Sequence, residues 1–99
     1  MPTLVFAKFA INDHIGYSRY VELATPIFLR EKVIIHASDE EPQALSPDMQ
    51  ADKVVLLEFR DHSHFKHFFS QTDYIEVAKI RDAASTISAT VFERFEMPK

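Results

Sequence analysis

The chain has 99 residues, 46% of them hydrophobic, a formal net charge of −4 at pH 7 and no cysteine. Disulfides, thiol catalysis and thiolate metal sites are thereby excluded, as is an electrostatic nucleic-acid surface, which needs clustered Lys and Arg. No apolar run approaches the roughly 20 residues that span a bilayer, and MPTLVFAKFAIND lacks the basic start of a signal peptide; both fit a cytoplasmic protein with no membrane partner. A chain this short is expected to form one domain, residues 1–99, burying only about 60–65% of its unfolded surface. Its core is therefore two layers thick. Nine Phe against one Gly point to a core or contact surface built from large rings.

Leu4–Ala10 (LVFAKFA) is short, bounded and rich in Val and Phe, and reads as a strand. Asp13 is an N-cap. It opens a helix whose buried stripe runs Ile15, Tyr17, Tyr20, Val21, Ala24, Ile27 and Phe28. Gly16 falls early in that helix. Pro26 removes a backbone donor and disfavours helical geometry at Thr25, which predicts a kink or a break. Val33–Ala37 is a second strand. Ser38–Asp52, acidic and with two prolines, is a loop of about 15 residues, long enough to be a mobile segment or a lid. Lys53–Arg60 is the third strand. Asp61 or Ser63 caps a helix holding Phe65, Phe68 and Phe69, and Thr72-Asp73 reads as a re-start that divides it. Thr86–Phe95 is the fourth strand.

The order β-α-β-β-α-β with right-handed crossovers is the split, ferredoxin-like arrangement. It predicts an α+β fold: an antiparallel sheet of strand order 4-1-3-2 with the helices on one face. Alternation along the strands then separates two sets of side chains. Val5, Ala7, Phe9, Val33, Ile35, Val55, Leu57, Phe59, Ile87, Ala89 and Val91 form an apolar set suited to the helix layer. The other face holds Leu4, Phe6, Ile34, Val54, Leu56 and Phe92 among Lys8, His36, Glu58, Ser88, Thr90 and Arg94. Bare, it would be an apolar patch of a size that soluble monomers rarely expose. The expected solution is a homodimer through the sheet face, in which each copy covers the other.

Val54–Phe59 followed by Phe68-Phe69, Asp73-Tyr74, Arg81 and Ala83-Ala84 resembles the C-terminal half of a bacterial family of unknown function within the dimeric α/β-barrel superfamily. Tyr17-x-x-Tyr20 and Pro26 are similar to its first helix. One departure stands out: that family usually has Gly-Gly between the first helix and second strand, where this chain has Arg30-Glu31-Lys32. The resemblance implies a homodimer whose two sheets form a barrel. The superfamily includes cofactor-free monooxygenases of aromatic polyketides, lactone isomerases and haem enzymes, so fold alone decides no activity.

Tyr74, Ala78 and Arg81 share one side of the second helical region by i, i+4 and i+7 spacing. An Arg on a face with a Tyr can offer its fork to a carboxylate or enolate; alternatively it pairs with Asp13 or Asp52 and locks the helix end. Strand polarity is expected to gather His14, Tyr17, His36 and Arg81 at one end, with Glu58 and Arg94 paired at the other. His36, whose ordinary pKa lies nearest neutrality, is the natural general base, although a strand His is often only a satisfied interface residue. His64 and His67 at i, i+3 suggest a metal site, but no carboxylate converges on them and three or four ligands are needed. No metal or cofactor is expected, and no phosphate-cradling loop. The resulting reading is a small-ligand protein: a cofactor-independent oxygenase or isomerase acting on a small aromatic or enolisable compound. Its candidate base is His36 and its ligand contacts are Tyr17, Tyr20, Tyr74 and Arg81. The alternative is a non-catalytic homodimeric binding or assembly module.

Overall fold

A computed structural model of the chain describes residues 1–98. The elements run β1 (Thr3–Ile11), α1 (His14–Arg30), β2 (Ile34–Asp39), a 3-10 turn (Pro47–Met49), β3 (Lys53–Phe59), α2 (His62–Ser70), α3 (Thr72–Ala84) and β4 (Ser85–Glu93). One sheet carries all four strands in the order β4-β1-β3-β2, every neighbouring pair antiparallel. This is the ferredoxin-like α+β fold and strand order that the sequence predicts.

The core lies between the sheet and the helices. Val5, Ala7, Phe9, Leu57 and Phe59 from one alternation set are buried with Tyr17, Tyr20, Ala24 and Ile27 of α1, Phe68 of α2 and Tyr74 and Ala84 of α3. Phe59 and Phe68 are wholly inaccessible. Phe59 packs edge-on or tilted against Phe65, Phe68 and Phe69, with centroids 5.6–5.7 Å apart. Phe68 stacks on Phe28 at 5.0 Å and tilts against Tyr74 at 4.7 Å. Each such pair adds about 0.5–1.5 kcal/mol beyond the area it buries. This ring cluster fixes α2 and α3 against the end of β3.

Local chemistry sets the boundaries. Asp13 Oδ1 accepts from the Gly16 amide at 3.0 Å to cap α1, and Asp61 Oδ1 accepts from the His64 amide at 2.8 Å to cap α2. Helix and re-start are separate elements, broken at Gln71. The kink or break expected at Pro26 is not a break: α1 is continuous through it. Pro26 and Glu22, whose carbonyl loses a donor, both face solvent, while Ala24 and Ile27 on either side are buried. Packing of those neighbours outweighs the one missing bond. The 38–52 segment begins by extending β2 and is then tied to β1. Lys8 Nζ donates to the Asp48 carbonyl, the Asp52 amide donates to the Phe9 carbonyl at 2.8 Å, and Asp52 Oδ2 accepts from the Ile11 amide at 2.7 Å.

The turn after α1, where Arg30-Glu31-Lys32 replaces glycines, is a Schellman closure. The Val33 amide donates to the Phe28 carbonyl at 3.0 Å and the Lys32 amide to the Leu29 carbonyl at 3.2 Å. Lys32 has φ 58°, a left-handed conformation that glycine adopts without a Cβ penalty. Relieving that penalty in Lys32→Gly raises stability by about 0.5–1 kcal/mol. The expected result is a higher urea midpoint at constant m value; an unchanged or lower midpoint contradicts it.

Candidate functional site

An apolar cavity of about 370 Å³ lies between the sheet and α2 and α3, lined by Phe9, Leu57, Phe65 and Phe69, with Tyr74 and Arg81 supplying polar groups. Both come from α3, where a spacing of seven residues sets them two turns apart on one side. Arg81 Nη1 donates to the Tyr74 hydroxyl oxygen at 3.1 Å, and the two hydroxyls of Tyr74 and Tyr20 lie 2.7 Å apart in a buried hydrogen bond. The guanidinium also sits over the Tyr20 ring, 5.9 Å from its centroid, a cation–π arrangement. Its Nε pairs with Asp82 at 3.1 Å, not with the Asp13 or Asp52 considered from sequence. Those two carboxylates are occupied by backbone amides.

The electrostatics follow from burial. Burial pushes the Tyr17 phenol from an ordinary 10.0 up to about 12, with Tyr74 nearby adding to the shift. Burial raises Tyr20 further still, helped by Tyr74 and its hydrogen bond and opposed by Arg81. For Arg81, burial works against the charge, but Tyr74, Asp82 and Tyr20 together outweigh it and hold its pKa above the usual value. The site therefore presents one permanent cation and neutral phenols: a donor array suited to an oxyanion.

Of the residues singled out from sequence, Tyr20, Tyr74 and Arg81 form one hydrogen-bonded chain. Tyr17 belongs to the same layer, its ring 5.7 Å from Tyr20 and 5.4 Å from Phe9. His36 is not among them, and His14 is exposed. The expected gathering fails for His36 because Ile34 pairs with Glu58 and the register of β2 shifts between Ile35 and Ala37. The His36 ring therefore comes beside Glu58, with Nε2 at 3.0 Å from Oε1, at the Arg94 end of the sheet rather than the Lys8 end. Glu58 also accepts from Arg94 at 3.2 Å, the ion pair expected there. The hydrogen bond from His36 and the charge of Arg94 hold the Glu58 carboxyl below its usual range. This trio occupies the sheet face opposite the helices, since Lys53, Val55, Leu57 and Phe59 take the helix side of β3.

His64 is not poised for metal. Its Nδ1 accepts from the Arg60 amide at 3.0 Å and its Nε2 donates to the Glu31 carbonyl at 2.7 Å. Among the described residues no three His, Asp or Glu side chains converge as a metal site, and no helix is long and apolar enough to cross a membrane. Two features escape a reading of the sequence. Arg30 joins α1 to the α2–α3 break through Asp73 at 2.7 Å and Gln71 at 2.6 Å, a long-range contact with no local signal. Lys53 is only 5% exposed, with Nζ 4.8 Å from the centroid of the Tyr17 ring. Its signal was present: period-2 alternation puts Lys53 in phase with Val55, Leu57 and Phe59.

A family profile described as "Domain of unknown function (DUF1330)" matches residues 2–95. The chain belongs to the DUF1330 family. Among curated proteins none matches it. Its fold is shared with RPA0582, a protein of unknown function from Rhodopseudomonas palustris, at a TM-score of 0.82 and 17% identity over 97% of this chain and 84% of that one. SnoaB, a cofactor-independent oxygenase from Streptomyces nogalater, superposes at a TM-score of 0.69 and 14% identity, over 97% of this chain and 95% of SnoaB. A dimeric ferredoxin-like protein of unknown function from Thermobifida fusca gives a TM-score of 0.65 and 16% identity over 93% and 90%. At these identities the likeness is one of fold.

The raised phenol pKa values have a measurable consequence. Folding keeps Tyr17 and Tyr20 protonated, so their contribution to stability is complete below pH 10.0 and is lost as pH rises toward about 12. Absorbance at 295 nm of the native protein is expected to lack the Tyr17 and Tyr20 phenolates just above pH 10, and both appear after denaturation. Equal phenolate absorbance in the native and denatured protein just above pH 10 would contradict the buried array.

Proposed function

We propose that this DUF1330 protein is a homodimeric small-ligand protein whose helix-side cavity binds a small aromatic, enolisable compound through its oxygen. The observation that carries the reading is an apolar cavity of about 370 Å³ with an Arg81 guanidinium and a Tyr74 hydroxyl among its lining. Apolar walls with a few convergent polar groups are the usual makeup of a ligand pocket. Arg81 and Tyr74, the latter hydrogen-bonded to Tyr20, hold the ligand oxygen, while Tyr17 lies outside the lining of this cavity. Loss of a proton from such a compound to water, since no His, Asp or Glu lines the cavity, leaves an enolate, and a fixed cation beside that oxygen stabilises the charge as it develops. Enolate formation is a first step open to both cofactor-independent oxygenation and isomerisation. The fold likeness to SnoaB is consistent with that chemistry. His36 takes no part in it, because its ring is hydrogen-bonded to Glu58 on the face away from the cavity.

One observation favours the alternative, a homodimeric binding or assembly module without catalysis: neither His, Asp nor Glu lines the cavity. 2-Tetralone, an aromatic ketone that enolises readily, separates the two. Its binding, followed by protein NMR, is expected to shift signals of Tyr74 and Arg81. Arg81→Met should weaken that binding about tenfold, the loss of one charge-assisted hydrogen bond. Faster solvent deuterium exchange of the bound ketone supports catalysis, whereas binding without exchange supports the module. Equal affinity in the variant removes Arg81 from the site.

The dimer rests on the opposite sheet face. Ile34 is 49% exposed and Phe92 43%, and Leu4, Phe6, Val54 and Leu56 lie beside them half-buried. A second copy covers that face and encloses the His36–Glu58–Arg94 trio. Fold relatives from Thermobifida fusca and Bacteroides fragilis are described as dimeric. Light scattering is expected to give twice the 11.4 kDa chain mass, and Phe92→Glu should return a single-chain mass. A native particle of one chain at micromolar concentration would sink the dimer.

A further inference from the structure

A second cavity of about 120 Å³ shares the Val55 and Leu57 floor with the first, and Tyr17, Tyr20, Ser38 and Lys53 contribute to its walls. Lys53 is 5% exposed, and among the described residues its ammonium has no hydrogen-bond or ion-pair partner. What it meets is the face of Tyr17, with Nζ 4.8 Å from the ring centroid. The aliphatic stem of Lys53 is buried while the ammonium keeps solvent contact at the cavity, and a partly desolvated cation without a protein partner is stabilised by an anion that reaches it. Glu40 acts on it only as a charge at a distance, and burial pulls the Lys53 pKa below its ordinary value. The Tyr17 hydroxyl, protonated up to about pH 12, likewise has no hydrogen-bond partner among the described residues. Ser38 places a second hydroxyl on the wall.

We propose that this smaller cavity is an anion subsite, separate from the Arg81 cavity, in which the Lys53 ammonium receives the carboxylate of a small organic acid, with the Tyr17 and Ser38 hydroxyls as neutral donors. One cation and two hydroxyls match the charge and donor needs of a monoanionic carboxylate. A phosphate, with more oxygens and up to two charges, calls for several converging amides or cations, whereas Lys53 is the single cation among this cavity's lining residues. The volume, equal to that of about four waters in the liquid, limits the occupant to a short acid or to the acidic end of a larger ligand. The subsite does not depend on what occupies the first cavity.

Sodium propionate and its neutral counterpart propionamide test this on the intact protein at neutral pH and constant ionic strength. Propionate is expected to move the amide resonances of Tyr17, Ser38 and Lys53 saturably, and propionamide to leave them in place. Lys53→Met should weaken propionate binding at least tenfold while raising the melting temperature in its absence, because a partly desolvated cation is gone. Arg81→Met should bind propionate like the native chain. Shifts confined to Tyr74 and Arg81, shifts equal for acid and amide, or unchanged affinity in Lys53→Met would each overturn the subsite while leaving the Arg81 reading standing. Because the acid–amide comparison uses the native protein, it decides the question even if the variant folds poorly.

Discussion

The structure depends on the ring cluster at the end of β3. Phe59 and Phe68 are wholly inaccessible, and their neighbours Phe28, Phe65, Phe69 and Tyr74 come from all three helices. With 99 residues the chain has little surface to bury, so large rings carry an outsized share of the apolar area. The cluster also has a chemical consequence. By wedging Tyr74 between Phe68, Phe69 and Tyr20 it fixes the phenol to which Arg81 donates. Packing thus positions the polar chain.

That placement produces an unusual electrostatic interior. Arg81 and Lys53 both point into the helix-side layer, yet two carboxylates considered as partners are used elsewhere: Asp13 as a helix cap, Asp52 on the Ile11 amide. Arg81 keeps one partly exposed partner, Asp82, and Lys53 has only an aromatic face. Arg81 Nη1 turned to a phenol and Lys53 Nζ over a ring leave donors that an anionic guest can use. The sheet's other face has the reverse organisation, with Glu58 held between His36 and Arg94 in a neutralised cluster among apolar side chains. One face is charge-seeking and closed by helices; the other is charge-balanced and open.

Much of this was legible in the residues. The element order, the strand order, the Asp13 and Asp61 caps, the re-start at Thr72 and the Tyr74–Arg81 pairing on one helix side all follow from periodicity and local hydrogen-bonding chemistry, which act over a few residues. The miss at His36 has a definite origin. Strand direction was read correctly, but the pairing of Ile34 with Glu58 and the irregularity between Ile35 and Ala37 are set by contacts between strands far apart in sequence. Lys53 is a different case: alternation in β3 puts it in phase with Val55, Leu57 and Phe59, although its charge alone suits the surface.

By itself, then, the sequence determined which segments become strands and helices, which faces are apolar and which residue types could handle an anion, because those properties rest on spacing and composition. The tertiary structure alone brings Tyr20 to Tyr74 across 54 positions of chain, sets His36 on Glu58, gives Lys32 a glycine conformation and lays the Lys53 ammonium over the Tyr17 ring. Each of these depends on register or on close packing between distant segments, and no local pattern encodes the distance between two side chains that meet only when the sheet and helices close.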